Sequence, residues 1–159
     1  MEKSDLVHFL NQQAWCESLT LREVQTLIDY TDLVDLNKGD IIADIGEVGE
    51  ALYFVIEGEA GLFIEDKGEA EVGRIPKGEL VGEMSFFDRS PRSVRMRATQ
   101  ADTQLLKLTR KKYNRLRLEH PFIAVNLLEH AIVSLDHLFR RVSSDVASYS
   151  SYFYGKGKH

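Results

Sequence analysis

The residues best suited to chemistry lie in one segment, GELVGEMSFFDRSPRSVRMRA, residues 78–98. The pair Gly82-Glu83, followed by Met-Ser-Phe-Phe, can form a short helical turn whose free backbone N–H groups attract an anion. Arg92 provides an always-charged planar donor that matches two phosphate oxygens, and Ser93 adds a hydroxyl. Glu83 would repel phosphate, so it is suited to accept hydrogen bonds from sugar hydroxyls. Together these groups predict a nucleotide-binding site.

A structural ion pair is the alternative interpretation of Glu83 and Arg92, since Arg and Glu side chains that lie close together commonly pair. At the surface such a pair contributes only about 0–1 kcal/mol, and it would not account for the neighbouring glycines. A catalytic site or a metal site is a weaker interpretation of the sequence than a nucleotide-binding site. The sequence contains no nucleophile-and-base motif, P-loop or dinucleotide fingerprint, and His130 and His137 lack the spacing of a zinc site. We therefore expect ligand binding without catalysis.

The elements around this segment are predicted to be short antiparallel strands. Nine glycines punctuate residues 37–108, which are rich in β-branched and aromatic side chains and too interrupted for helices. Residues 66–69 suit a hairpin turn, where Gly68 can take a positive φ. The pattern is typical of an antiparallel sandwich or barrel. The predicted strands are DIIADI, ALYFVIEG, EAGLFIED, EAEVGRI, SVRMRA and TQLLKL.

Helices are predicted on both sides of the β region. Residues 1–36 are interpreted as two short helices, the second opened by a capping box at Thr20 and Glu23. Thr109 is the expected N-cap of a basic helix, and Pro121 ends that helix and begins a longer one. The predicted organisation is one domain with N-terminal helices (1–36), a β region (37–109), C-terminal lid or dimerisation helices (110–149) and a tail (150–159).

The last predicted helix carries an apolar seam with alternating steps of three and four residues, interrupted by one acid. A second copy of the chain is the favoured partner for this seam, because a small β domain would cover it only in part. Packing against the chain's own domain is the alternative. A homodimer is therefore expected. The seam residues are Leu128, Ala131, Leu135, Leu138, Val142, Asp145 and Tyr149.

Composition indicates an ordinary globular protein. The 159 residues are 43% hydrophobic and 28% charged, which excludes collagen-like, disulfide-scaffold and disordered compositions. The one cysteine, Cys16, cannot form an internal disulfide. The N-terminus lacks a secretory signal, and no apolar run approaches the roughly 20 residues of a membrane span. A cytoplasmic protein without a membrane anchor is expected.

Charge is unevenly distributed along the chain. The net charge of −5 argues against general nucleic-acid binding. Residues 40–88 nevertheless contain 13 acidic and 3 basic residues, whereas residues 89–117 contain 10 basic residues and 1 acidic residue. This asymmetry can create a positive field for an anionic ligand. Two solvated faces that attract each other are an equally favoured alternative.

The ordered motifs of residues 78–98 resemble the phosphate-binding cassette of cyclic nucleotide-binding domains. This family includes the bacterial catabolite activator protein, the regulatory subunits of cyclic-AMP-dependent protein kinase and the cyclic-nucleotide-gated channels. The spacing from GE at 82–83 to PR at 91–92 is similar to the kinase subunits. The RS and RA pairs that follow are similar to the bacterial activator and favour a bacterial source. The strand LYFVIEG, residues 52–58, also lies where the family has it.

The resemblance implies a mainly β fold: an antiparallel β-roll, or jelly roll, with N-terminal helices and a long C-terminal helix. It implies that Glu83 holds the ribose 2′-hydroxyl and that Arg92 holds the cyclic phosphate. Arg95 stands where the family usually has Ser or Thr, and alternation along the strand predicts that it points outward. The remaining ligand contacts that the resemblance implies are Gly82, Met84, Ser85, Ser93, Val94 and, from the lid helix, Ser143 and Ser144.

The implied function is a non-enzymatic regulatory sensor of a cyclic mononucleotide, with cyclic AMP favoured over cyclic GMP and no other cofactor. Binding would shift the C-terminal helix, and a protein partner would read that shift. About ten residues follow Tyr149, too few for a DNA-binding helix-turn-helix domain, so contact with nucleic acid is not expected. The alternative is a β-roll that no longer binds nucleotide and serves as a dimeric interaction or scaffold module.

Overall fold

The computed structural model describes residues 2–13 and 16–136 of the chain. Its helices are α1 (Lys3–Asn11), α2 (Leu21–Asp29), α3 (Glu83–Asp88), α4 (Arg110–Glu119) and α5, which covers residues 121–136 up to the end of the described part. Its strands are β1 (Asp32–Leu36), β2 (Ile41–Ala43), β3 (Ala51–Glu57), β4 (Glu59–Glu65), β5 (Glu69–Pro76), β6 (Leu80–Val81), β7 (Arg95–Ala98) and β8 (Thr103–Thr109).

The strands form two four-stranded sheets with the orders β1-β8-β3-β6 and β2-β7-β4-β5. The paired strands are antiparallel. Helices α1, α2, α4 and α5 flank this β structure, while α3 connects β6 to β7. The mainly β class, with an antiparallel β-roll between N-terminal and C-terminal helices, is as predicted.

Strand β3 separates two hydrophobic cores. Leu52, Phe54 and Ile56 lie on one face and belong to the core shared with the helices. Val55 lies on the other face, in the smaller core inside the roll, together with Met96. This alternation follows from the two-residue period of a strand. One strand therefore joins the interior of the roll to the layer of helices.

Local sequence patterns set several element ends as predicted. The Thr20 hydroxyl accepts from the Glu23 N–H at 3.2 Å, and the Glu23 carboxylate accepts from the Thr20 N–H at 2.9 Å. The Thr109 hydroxyl accepts from the Lys112 N–H at 3.2 Å. In the β4–β5 turn Gly68 has a φ of +111°. These interactions span three residues or fewer, and sequence reasoning found them.

The prediction that residues 1–36 are helical is wrong at its end, because Asp32–Leu36 form strand β1. This strand pairs with β8, with Val34 opposite Leu105. Strand β6 was also missed, and it pairs with β3 through Val81 opposite Tyr53. Both strands are short, and their hydrogen-bonding partners lie far away in the sequence. Tertiary pairing therefore overrides a weak local preference.

The break between α4 and α5 falls at His120 and Pro121, as predicted. His120 has φ −138° and ψ 68°, which ends α4, and Pro121 occupies the first position of the next helical run. Helix α5 then buries Ile123, Ala124 and Leu127 against the core. It is thereby attached to the domain at its start.

The apolar seam is only partly described. Ala131 is buried, and Leu128 and Leu135 are half-buried. The remaining seam residues lie outside the described residues, as do the predicted lid residues Ser143 and Ser144. A different apolar row on α5 is exposed to solvent; its members are Phe122, Val125, Ile132 and Val133.

Candidate functional site

A cavity of about 570 Å³ lies beside α3 and extends to α5. Its size is in the range of small-molecule sites. Its described lining residues include no Phe, Tyr or Trp, so no aromatic side chain of the described residues fills it. Seven of the predicted contact residues line this one cavity: Gly82, Glu83, Met84, Ser85, Arg92, Ser93 and Val94. The other two, Ser143 and Ser144, lie outside the described residues.

Glycine at position 82 is required by the local backbone and by the space beside it. Gly82 is the N-cap of α3 and has a φ of +89°, in the left-handed region that favours glycine. A Cβ at this position would lie 3.2 Å from Nη1 of Arg92. The turn before α3 thus holds its backbone close to the guanidinium.

Arg92 is buried, with 8% of its surface exposed, and it lines the cavity. Its backbone is held by the Glu47 carbonyl, which accepts from the Arg92 N–H at 2.8 Å. Within the described residues, the guanidinium donates one hydrogen bond, a long one of 3.4 Å from Nη1 to the Gly82 carbonyl. Burial lowers the pKa of Arg92. The remaining donors are available to an anion in the cavity.

Glu83 is also buried, with 7% of its surface exposed. Its Oε1 accepts a hydrogen bond of 2.9 Å from the Ser134 hydroxyl on α5. Burial raises the pKa of Glu83, and the charge of Arg92 opposes this shift more weakly. Within the described part of the chain, Glu83 and Arg92 form no ion pair within 4.0 Å. The geometry therefore does not match the alternative of a structural ion pair.

The loop between β2 and β3 closes on the cassette through Gly49, which sequence reasoning treated only as a turn residue. The Gly49 N–H donates to the Ser85 hydroxyl at 2.7 Å. A Cβ on Gly49 would lie 2.7 Å from the Phe86 nitrogen and 2.9 Å from Nη2 of Arg92. Only glycine fits this close approach. Nothing in the local sequence distinguishes Gly49 from the other turn glycines.

Aromatic side chains attach α3 to α4 on the side away from the cavity. Phe86 is fully buried and makes edge-to-face contacts with Phe87 and Tyr113, with ring centroids 5.0 and 5.4 Å apart. Arg110 donates to the Gly49 and Phe86 carbonyls, each at 2.6 Å. Arg110 was not predicted to have a role. It joins the β2–β3 loop, α3 and the first turn of α4.

The α5 face of the cavity is formed by His130, Val133 and Ser134. Sequence reasoning missed these residues and assigned the lid contacts to serines further along the helix. The register of α5 over the cavity depends on how its first turns pack into the core. A single sequence carries no sign of that packing.

Arg95 lies outside the lining of the cavity, and its predicted outward orientation is confirmed. It donates to Asp44 at 2.7 Å, to Glu65 at 2.9 Å and to Glu69 at 2.7 Å. These carboxylates raise the pKa of Arg95. Arg95 is therefore part of a charged network on the sheet and is not a free cation.

Other site types find no support in the part of the chain that the structure describes. Residues 2–13 and 16–136 contain no group of three His, Cys, Asp or Glu side chains that could hold a metal ion. None of the helices found in those ranges combines the length and the apolar character needed to cross a membrane.

Comparisons with known proteins identify the family of the chain. A family profile described as the cyclic nucleotide-binding domain matches residues 33–120. The chain is 36% identical over 111 residues to a cyclic AMP receptor protein of Thermus thermophilus, a match that covers 69% of this chain and 51% of that protein. It is 35% identical over 104 residues to the lysophospholipase NTE1 of Pyricularia oryzae, covering 63% of this chain and 7% of that protein.

Structural comparison gives the same result for the fold. A solved cyclic nucleotide-binding domain from Methylobacillus flagellatus is similar with a TM-score of 0.80 and 21% identity, covering 92% of this chain and 83% of the other. The chain spans about half the length of the Thermus relative and a small part of the fungal one. With a family profile matching more than half of its residues, the chain belongs to the cyclic nucleotide-binding domain family.

Proposed function

We propose that this chain is a regulatory sensor that binds a cyclic mononucleotide, with cyclic AMP favoured over cyclic GMP, and that it has no catalytic activity of its own. The observation that carries the proposal is the state of Arg92, which is buried beside a cavity with one long hydrogen bond from its guanidinium within the described residues. A buried charge without partners is costly, and a cyclic phosphate would supply both the charge and two acceptors. The name of the Thermus relative supports an adenine nucleotide.

The proposed contacts divide the cavity into a phosphate side and a sugar side. Arg92 and Ser93 bind the cyclic phosphate, together with the backbone of the α3 turn at Gly82, Met84 and Ser85. On the sugar side, the Glu83 carboxylate accepts a hydrogen bond from the ribose 2′-hydroxyl. Val94 contributes an apolar contact in the same cavity, and Ser143 and Ser144 remain proposed lid contacts.

The proposed signal is a shift of α5. This helix forms one wall of the cavity through Ser134, and the break at Pro121 allows it to move relative to α4. The exposed apolar residues Phe122, Val125 and Ile132 support a homodimer through the C-terminal helix or contact with a protein partner. We propose that the protein is cytoplasmic and that its described elements respond together as one domain.

Titration calorimetry with cyclic AMP and cyclic GMP tests the proposal, using protein shown by mass spectrometry to be free of carried-over nucleotide. Binding of both, with the tighter binding for cyclic AMP, is expected. Tighter binding of cyclic GMP would overturn the choice of base only. If neither cyclic AMP nor cyclic GMP gave heat of binding, the sensor proposal would be overturned and the scaffold alternative favoured.

A further inference from the structure

Arg110, the first residue of α4, holds two backbone segments that lie beside the candidate site. One nitrogen of its guanidinium, Nη2, donates to the Gly49 carbonyl in the β2–β3 loop and to the Phe86 carbonyl in α3, each at 2.6 Å. The guanidinium also lies over the Phe86 ring, 4.5 Å from its centroid. Arg110 is not among the described lining residues of the cavity. Apart from its charge, it can therefore act on a bound ligand only through these segments.

The Phe86 carbonyl depends on a donor from outside its own helix. It lies near the end of α3, where carbonyls have no partner within the helix. Phe86 is fully buried, and a buried carbonyl that lacks a donor is costly. A charged donor makes a stronger hydrogen bond than a neutral one. The contact with Arg110 therefore fixes the end of α3 relative to the start of α4.

Gly49 connects Arg110 to the phosphate side of the cavity. The carbonyl of Gly49 accepts from Arg110, and a Cβ on Gly49 would lie 2.9 Å from Nη2 of Arg92. The Gly49 N–H donates to the Ser85 hydroxyl at 2.7 Å, and that hydroxyl donates to the Ser90 carbonyl at 2.6 Å. A shift of Gly49 would therefore change the space beside Arg92 and loosen the backbone on both sides of α3.

We propose that Arg110 is a positioning residue for the bound phosphate. It fixes the Gly49 and Phe86 carbonyls to one point at the start of α4, and so holds the β2–β3 loop and α3 where Arg92 lines the cavity. A site that is ordered before binding loses less free energy when the ligand enters. The inference rests on the proposed function, and it goes beyond it by giving a role in phosphate binding to a residue outside the cavity.

Two substitutions separate the hydrogen bonds of Arg110 from its charge. Arg110→Lys keeps the charge, but its side chain is one covalent bond shorter, so its ammonium group falls short of the two carbonyls. Arg110→Met removes both the charge and the donors. We expect the cyclic AMP affinity to fall about fivefold in Arg110→Lys and about tenfold in Arg110→Met. Titration calorimetry measures the affinities, on protein shown by thermal unfolding to be folded at the temperature used.

Arg115→Met is the matched control for the loss of a cation from α4. The described contacts of Arg115 are with Glu119, at 3.2 Å, and with the Tyr30 ring, 5.9 Å from its centroid. Neither contact involves the cassette or the β2–β3 loop. The cyclic AMP affinity of this variant is therefore expected to equal that of the wild type. An equal loss in Arg115→Met and Arg110→Met would overturn the inference.

The outcomes separate this inference from the proposed function. If Arg110→Lys binds cyclic AMP as the wild type does, the donors of Arg110 do not position the site, and the sensor proposal stands. This variant decides the question even if Arg110→Met does not fold. If the wild type itself binds no cyclic AMP, the sensor proposal fails and this inference fails with it.

The phosphorus NMR signal of bound cyclic AMP gives a readout that a loss of stability alone would not move. At saturating ligand, we expect its chemical shift in Arg110→Lys to differ from that in the wild type, because the donors around the phosphate are displaced. Arg115→Met should leave the chemical shift unchanged. An unchanged shift in Arg110→Lys would overturn the positioning role, whatever the affinities show.

Discussion

The cavity beside α3 and the charged network on the second sheet use arginine in opposite ways. Arg92 is buried, lines the cavity and makes one long hydrogen bond from its guanidinium within the described residues. Arg95, three positions later, is bound by Asp44, Glu65 and Glu69. The contrast teaches that the candidate site is marked by a buried cation that forms no ion pair with any described residue, whereas a cation paired with several carboxylates serves the fold.

The carboxylates of the two regions differ in the same manner. Burial raises the pKa of Glu83 in the cavity. In the network, hydrogen bonds from Arg95 lower the pKa values of Asp44 and Glu69. The cavity therefore holds an acid whose charged form is disfavoured by burial, and the network holds acids whose charged form is stabilised by arginine donors.

Replacing Arg92 by Leu should produce the largest effect. Loss of two charge-assisted hydrogen bonds to the phosphate is expected to weaken cyclic AMP binding about 100-fold or more. The melting temperature of the ligand-free protein should be unchanged or higher, because a buried charge without a partner is removed. Calorimetry and thermal unfolding measure the two effects. An unchanged affinity would remove the functional difference between the two arginines.

Replacing Glu83 by Gln should have the next largest effect, a loss of about tenfold in cyclic AMP affinity, because a charged acceptor for the ribose hydroxyl becomes neutral. The pH dependence sharpens this test. Since burial raises the pKa of Glu83, its carboxylate takes up a proton at a pH above the ordinary 4.5. Wild-type affinity should fall as the pH is lowered from neutral towards that value.

Titrations at several pH values compare the wild type with Glu83→Gln. The variant is expected to show a flatter profile over this range, since its amide does not titrate. Equal slopes for the two proteins would contradict the role given to Glu83, because the pH dependence would then come from another group.

The variant Gly49→Ala should have an intermediate effect. Its methyl group would meet the Phe86 nitrogen at 2.7 Å and Nη2 of Arg92 at 2.9 Å. We expect the free energy of unfolding to fall by about 1–3 kcal/mol and the cyclic AMP affinity to fall about fivefold. Urea unfolding and calorimetry measure these quantities.

Gly46→Ala is the matched control for that variant. Gly46 has a φ of +88°, and nothing lies within 4 Å of a Cβ placed there. Because an alanine in the left-handed region is strained, its free energy of unfolding should fall by about 1 kcal/mol. Its affinity for cyclic AMP should equal that of the wild type. If both glycine variants lost the same amount of cyclic AMP affinity, the close approach of residue 49 to Arg92 would not be the cause of the loss in Gly49→Ala.

Arg95→Leu should have the smallest effect on binding, with cyclic AMP affinity within about twofold of the wild type. The melting temperature should fall, because three carboxylates lose their shared cation. That decrease should diminish at high salt, since salt screens the repulsion among them. A large loss of cyclic AMP affinity in this variant would place Arg95 in the site and end the contrast with Arg92.

Much of the fold follows from short-range patterns in the sequence. The capping box at Thr20, the turn at Gly68 and the break at Pro121 each depend on residues within three or four positions, and each lies where it was predicted. Strands β1 and β6 were not predicted. Each is held by a partner far away along the chain, so the local sequence contains little of the information that defines it.

The same distinction holds for the candidate site. The cassette from Gly82 to Val94 is contiguous, so its residue types and spacing could be interpreted together, and all seven contact residues predicted in it line one cavity. Gly49, Arg110 and Ser134 come from other elements and were missed. Their roles depend on where the β2–β3 loop, α4 and α5 pack.

The sequence by itself determined which groups are available for chemistry and in what order they occur, because covalent spacing sets the geometry of one short segment. Tertiary structure alone decided that, among the described residues, Arg92 forms no ion pair while Arg95 is surrounded by carboxylates, and that Ser134 donates to Glu83. The physical reason is that burial and pairing depend on which distant strands and helices come into contact.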